Sequence, residues 1–408
     1  MRSHPLPHSR PAALHAPPDV NVFLRLLPIA LAVFVGFLTI GLPLPVLPLH
    51  LHDTLGMGAL VVGVVIGAQF AAALLSRACA GALADTSGSK RAVVAGFLVA
   101  ACSGLAYLAS LAFVTRPASS VWVLLIGRVL LGCGESLVVT GALSWGVGLV
   151  GPQNAGKVMA WVGIAMYGAY AVGAPVGVAV HAQWGFAGIA AATACIPLLA
   201  LAMVAGVKPL PPTAMRRAPF YRVLGAVWVA GLGLALSSVG FGVITAFIAL
   251  LFAAKDWGDA SLAFTCFGLA FIGARILFGH LPDRLGGARV ALVCVLIEAM
   301  GQLLIWRADG ALTAYLGAAL TGFGYSLAFP GFGVEAVRRA PPQSRGVAMG
   351  AYVAFLDISL GITGPAAGAI AGAWGVGAVY LAGAAAVALS LLAAVRLLAR
   401  APKGARHA

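Results

Sequence analysis

A few charged side chains lie deep inside long apolar runs, and these are the ones whose chemistry calls for a reason. Insertion scales put an Arg, Lys or Asp at a membrane helix centre at roughly 2.5–3.5 kcal/mol. Arg128 and Glu135 share the run GRVLLGCGESLVVTG, seven residues apart, so they fall on one helical face about two turns from each other. Burial and a neighbouring guanidinium act in opposite senses on a carboxylate's hold on its proton, so such a pair can be poised to titrate. The same two residues can instead bridge helices structurally. Asp357, in FLDISLGITGP, is the most isolated acid of the second half and ranks as a coupling acid beside Glu135. Glu298 ranks below it. Glu335 is followed by Arg338 and Arg339 at i+3 and i+4, the spacing of a surface ion pair.

A second set of charges repeats. Arg77, Gly81 and Asp85 recur every four residues on one helical face, followed by a Ser87-Gly88-Ser89 turn and the basic pair Lys90-Arg91. The arrangement returns as Arg275, Gly279 and Asp283, then Gly286-Gly287 and Arg289, at an offset of 198 (275 − 77, 279 − 81, 283 − 85). The chain is therefore two related halves, each with a charged elbow at one membrane surface. As a gate, Asp85 pairs with a basic group or caps a neighbouring helix and releases when the halves rock. As a plain helix end, it keeps a local ion pair of little energy. Gly81 lets a neighbour approach and Gly88 supplies the turn. Arg77 and Arg275 lie two turns above the acids, about 12 Å deeper. They either line a cavity and attract an anion or snorkel to lipid phosphates.

These motifs resemble those of a known family. GALADTSGSKR is similar to the loop between helices 2 and 3 of the major facilitator superfamily, and GHLPDRLGGAR to its degenerate copy between helices 8 and 9. Thr86 stands where the family usually has a basic residue, and Pro282 precedes the second acid. LTIGLPLPVLPLHLHD, the 77–91 elbow and VAFLDISLGITGPAAG resemble the bacterial YhhS/YfcJ-type branch, and the resemblance runs from about residue 22 to 400. It implies an all-α integral membrane protein with the MFS fold, twelve transmembrane helices in two pseudo-symmetric six-helix halves. It also implies that on helix 9 Glu298 is lipid-facing or peripheral, hence structural. Arg128 with its following glycines resembles the helix 4 motif, whose Arg is thought to tune a nearby acid in proton-coupled members. GAYAVGAPVGVAV, with Gly173 and Pro175, resembles the helix 5 motif of drug/proton antiporters, with Ala174 where that motif has Gly; this favours export. GITGPAAG, with Gly364 and Pro365, is its parallel in the second half. Physically both are kinkable, tightly packed helices.

The elements that position these residues follow from composition. Apolar residues make up 62% of 408 and charged residues 9%, with mean hydropathy +1.02, more than a soluble domain can hide. The apolar runs are continuous, which excludes the alternating strands of an outer-membrane barrel. Spans of about 20 residues are expected near 24–50, 59–84, 90–114, 120–149, 155–181, 184–206, 222–253, 260–281, 288–306, 311–336, 344–371 and 374–397. Pro43, Pro45 and Pro48 are expected to disrupt the first. Residues 1–21 read as a disordered tail and 22–206 as one six-helix bundle. The Pro-rich segment 207–221 reads as a linker, 222–398 as the second bundle and 399–408 as another tail.

Of 25 Lys and Arg, nineteen fall on the side of the elbows, three on the other (Arg116, Lys255, Arg307) and three within spans (Arg77, Arg128, Arg275). The positive-inside rule then places both termini and the linker in the cytoplasm and the chain in a bacterial inner membrane. The net charge of +14 is mostly this bias; it attracts anionic lipid heads and not nucleic acid. Six cysteines inside apolar runs read as small buried residues, and no metal, cofactor or enzymatic constellation is expected. Tyr167 and Tyr352 are candidates to line the cavity. The expectation is a monomeric secondary transporter of a small-molecule substrate, using the proton gradient for export by antiport. Import of a sugar or organic anion by symport or facilitation, and a non-transporting sensor, stay open.

Overall fold

The computed structural model describes residues 20–211, 221–340 and 345–399, and every regular element in them is helical. Most of the two tails and of the linker lies outside the described residues. The elements are α1 (Val20–Gly41), α2 (Pro43–Leu49), a π-helical turn (His50–Thr54), α3 (Ala59–Ser87), α4 (Ser89–Leu111) and α5 (Pro117–Val150). They continue with α6 (Ala155–Ala205), α7 (Tyr221–Lys255), α8 (Ser261–Phe278), the short α9 (Leu281–Leu285), α10 (Gly287–Trp306), α11 (Ala311–Arg339), α12 (Arg345–Trp374) and α13 (Ala378–Ala399).

Eleven stretches among the described residues are long and apolar enough to span a bilayer, where the sequence led us to expect twelve. The difference lies in α6. Its 51 residues would extend about 77 Å as one rod, far more than a hydrocarbon core of about 30 Å. Gly185 breaks it, with φ 60° and ψ −160°, a conformation open essentially to glycine alone. The arm before the break packs on α1, where Gly41 meets Ala169 and Gly173. The arm after it packs on α4, where Gly104 meets Thr193 and Ala194. The two arms correspond to the expected spans 155–181 and 184–206. The first span changes element twice near its outer end. Leu42 keeps helical angles (φ −61°, ψ −47°) and its N–H reaches the Leu38 carbonyl at 2.9 Å. Pro43 then opens the short α2, and the π-helical turn His50–Thr54 follows Pro48, so the prolines coincide with changes of element while the span keeps its course.

The internal repeat appears in the backbone. Gly88 joins α3 to α4 with φ 98° and ψ 146°; Gly286, 198 residues on, joins α9 to α10 with φ 92° and ψ 134°. Only a residue without Cβ turns this way at low cost. Helix pairs inside each half close on glycine. Gly96 and Gly134 face each other between α4 and α5, as do Gly301 and Gly317 between α10 and α11. In lipid, where tails are as apolar as leucine, such close backbone approach supplies much of the association energy.

The halves meet most extensively along two seams. Between α3 and α12, a Cβ on Gly67 would lie 2.8 Å from the Gly361 oxygen, and one on Gly368 2.6 Å from the Ala59 oxygen. Gly63 and Gly364 each face the other's carbonyl. Between α6 and α8, Thr265 donates to the Ala171 carbonyl at 2.7 Å and Gly268 abuts Tyr167 and Ala171. The seams are equivalents under the repeat. Thr265 is Gly67 plus 198, and Ala171 is Gly361 minus 190, the offset that also relates Pro365 to Pro175 (365 − 175). The α3–α12 contacts lie toward the ends of the helices remote from the elbows.

The expectation of buried cysteines is corrected. Cys79, Cys102 and Cys195 are exposed, Cys133 and Cys266 half-buried, and only Cys294 is buried. A small thiol costs little on a surface facing lipid.

Candidate functional site

Asp357 is not isolated. It accepts from Arg77 across the α3–α12 seam, Nε–H to Oδ2 at 2.7 Å and Nη2 to the same oxygen at 2.5 Å. The acid is 8% exposed and the guanidinium 24%, so the pair is removed from bulk solvent on the acid's side. Arg77 therefore neither snorkels nor stands free in a cavity. This ion pair joins the two halves, with 280 residues between its members. The sequence could not show it, because local spacing carries no trace of a partner so distant.

Arg128 and Glu135 do not form the pair that their seven-residue spacing suggested. Glu135 accepts from Gln69 Nε2 at 2.7 Å. Arg128, 1% exposed, donates to the Ile66 carbonyl at 3.4 Å and toward the Tyr107 hydroxyl at 3.5 Å. Both thus fasten α5 to α3, one turn apart on the latter helix. Gln69 was missed in the sequence, yet a signal was there. It continues the four-residue ladder of Arg77, Gly81 and Asp85 two steps upward, through Ala73.

The same ladder in the second half is aromatic: Phe267, Phe271, Arg275. Tyr167 stacks on Phe271 at 3.8 Å between ring centres, and Phe241 stacks on Tyr325 at 5.7 Å. Tyr167 and Phe241 are 5.5 Å apart, edge to face. These rings come from α6, α7, α8 and α11, so they form a layer between the halves. Arg275 lies 5.3 Å over Phe271 and donates to the Ser326 carbonyl at 2.9 Å. Tyr352 is fully buried and spends its hydroxyl on the Phe329 carbonyl at 2.6 Å.

Two other acids are structural in their contacts. Glu298, which we expected to be peripheral, is 0% exposed and accepts from Ser237 at 2.6 Å. Beside it, Gln302 donates to the Gly240 carbonyl at 3.3 Å and to Thr321 at 3.2 Å, so the cluster ties α7, α10 and α11 together. Glu335 keeps the expected partners, Arg338 at 2.9 Å and Arg339, but it is only 2% exposed and not at the surface. It also accepts the Ala288 N–H at the start of α10 at 3.4 Å, and Arg339 reaches the Leu397 carbonyl at 3.1 Å.

At the first elbow, Asp85 is half-buried and Gly81 buried. Lys90 donates to the Ala205 and Val207 carbonyls, both at 2.7 Å, where a cation suits the end of α6. Trp145 Nε1 donates to the Lys208 carbonyl at 3.1 Å. Lys90 thus holds the start of the linker against the first half. Arg91 is exposed, as are Asp283 and Arg289 at the second elbow. Gly173 and Gly364 serve close approach, to Gly41 on α1 and Gly63 on α3 respectively. Both α6 and α12 run through Pro175 and Pro365 without a break in helical angles at either proline; the break in α6 is at Gly185, beside the gap expected between spans 155–181 and 184–206.

The family model described as Major Facilitator Superfamily matches residues 29–254 and 230–408. An uncharacterized MFS-type transporter of Salmonella typhimurium is 45% identical over 372 residues, covering 91% of this chain and 96% of the relative. One of Burkholderia mallei is 48% identical over 361 residues, 88% of this chain and 89% of its own. Among solved structures, a point mutant of the nucleoside transporter NupG aligns with a TM-score of 0.74 at 15% identity, over 91% of this chain and 99% of that one. The human organic anion transporter MFSD10 aligns at 0.68 and 16% identity, over 93% and 100%. With its helical repeat, its elbows and these matches, the chain belongs to the major facilitator superfamily and is a membrane transporter of that class.

Proposed function

We propose that this chain is a proton-coupled exporter of a small organic solute, working by alternating access in a bacterial inner membrane with the elbows in the cytoplasm. The observation that carries the reading is the Arg77–Asp357 pair at the junction of the halves. A proton arriving on the Asp357 carboxylate removes its charge, weakens its hold on Arg77 and changes the relative energy of the two facings. Glu135, held by Gln69 on the same helix as Arg77, is the second candidate for that proton. Asp85, Gly81, Gly88 and Arg91, with Asp283 and Arg289, form the cytoplasmic gate in this reading, and Lys90 anchors the linker beside them. The charge bias of the loops supports the orientation and a contact with anionic lipids; the chain acts as a monomer.

The test uses proteoliposomes with a pH-sensitive dye inside and an imposed proton gradient. Sugars, organic acids and lipophilic cations are added one class at a time. One class is expected to dissipate the gradient while moving against the protons, and Asp357→Asn or Glu135→Gln to abolish this. Solute movement without proton movement would overturn the coupling role of both acids. Movement of solute with the protons would overturn export.

A further inference from the structure

Applied across the seams, the repeat shows where a charge is missing. Arg275 is the equivalent of Arg77 (275 − 77 = 198). The equivalent of Asp357 is Tyr167: each stands eight residues before its proline, Pro365 and Pro175, and 357 − 167 repeats the offset of 190. The seam contacts obey the same two offsets, so the correspondence is spatial as well as sequential. One half therefore has an arginine with its carboxylate. The other has an arginine facing a neutral phenol.

One donor of that arginine remains open. Arg275 uses Nη2 on the Ser326 carbonyl, but its Nε is buried and has no hydrogen-bond partner among the described residues. The Tyr325 hydroxyl is likewise buried, and its polar neighbours are the hydroxyls of Tyr167 and Ser238. Arg275 has no ion pair with a carboxylate among the described residues. A guanidinium with a buried, unmet N–H is costly and asks for an anion with acceptor oxygens. The surroundings set the rest of the ligand. Phe241, Phe267, Phe271 and the two tyrosines present ring faces and edges from both sides of the junction.

We infer that Arg275, Tyr167 and Tyr325 form the substrate site for an aromatic carboxylate, whose charge takes the place that Asp357 holds in the other half. Its carboxylate accepts from Arg275 and from the Tyr325 hydroxyl, and its ring lies among the aromatic side chains when the halves part. The inference rests on the transporter reading for its biological sense, but binding does not depend on proton coupling.

The test is equilibrium binding to the purified full chain in neutral maltoside micelles, which hold no anionic lipid to compete. The probes are benzoate and its uncharged isostere benzamide, at a pH of about 7.5, where benzoate is ionised. Saturable benzoate binding is expected, with benzamide at least tenfold weaker. Arg275→Gln should weaken benzoate at least tenfold and Arg275→Lys less. Tyr325→Phe, which keeps the ring, should weaken it about threefold, and serves if Arg275→Gln does not fold. Equal binding of the two probes, no saturation up to about 20 mM, or an unchanged affinity in both folded Arg275→Gln and Tyr325→Phe would overturn the site. The two readings fail separately. Benzoate binding that survives Asp357→Asn supports the site whatever becomes of proton coupling. Benzoate binding without flux leaves the site standing and removes the transport reading.

Discussion

At the residue scale, the Arg77–Asp357 pair has one member nearly buried and one with about a quarter of its side chain exposed. Removing one partner of a fully buried pair costs roughly 3–5 kcal/mol; partial exposure of Arg77 lowers the figure here to about 2 kcal/mol. Asp357→Asn should therefore destabilise the protein, and adding Arg77→Gln should recover part of the loss, because the uncompensated guanidinium is then gone. A double-mutant cycle by thermal unfolding in detergent measures this, and strictly additive losses would show that the pair is not coupled. The chemistry of Asp357 was legible in the sequence, since an acid in an apolar span demands a role. Its partner was not, because a contact between residues 77 and 357 is decided by how helices pack and not by spacing. The same limit applies to Arg128 and Glu135. Helical periodicity put them on one face, but it cannot tell two neighbours that bond each other from two that bond a third element, here α3.

At the element scale, the seam between α3 and α12 is built from glycine against carbonyl. Gly364 meets Gly63 there, while Gly372, two turns further along α12, has nothing within 4 Å of the place a methyl would take. Gly364→Ala should cost about 1–3 kcal/mol through overpacking and lower the unfolding temperature. Gly372→Ala should leave it unchanged or raise it, since alanine favours helix. Equal effects of the two would mean the seam yields freely. The long apolar runs made the spans legible to within a few residues. The Gly185 break was legible only as a gap between two expected spans, because one glycine among 53 carries no mark of its dihedral angles. The prolines of the first span marked where its elements change, at Pro43 and after Pro48.

On the scale of the whole molecule, the sequence repeat is carried through to equivalent turns and equivalent seams. The fall in offset from 198 at α3/α8 to 190 at α6/α12 means that the second half is eight residues shorter between these elements. Rigid halves joined by a linker need that linker fastened where motion is to be transmitted. Lys90, with both its carbonyl contacts at the end of α6 and beyond, is placed to do so. Lys90→Gln is expected to lower the maximal transport rate severalfold while leaving probe affinity unchanged. An unchanged rate in the proteoliposome assay would reduce Lys90 to a helix cap.

The glycine seam also bears on how fast the molecule can turn over. Where side chains interdigitate, parting two helices means withdrawing each knob from its hole and finding the rotamers again on return. Backbone against backbone has no such search. If the halves rock as proposed, the α3–α12 contact opens and reseats without sorting any conformers at Gly63, Gly67, Gly364 or Gly368, and the pace of switching falls to the ion pair and the ring layer.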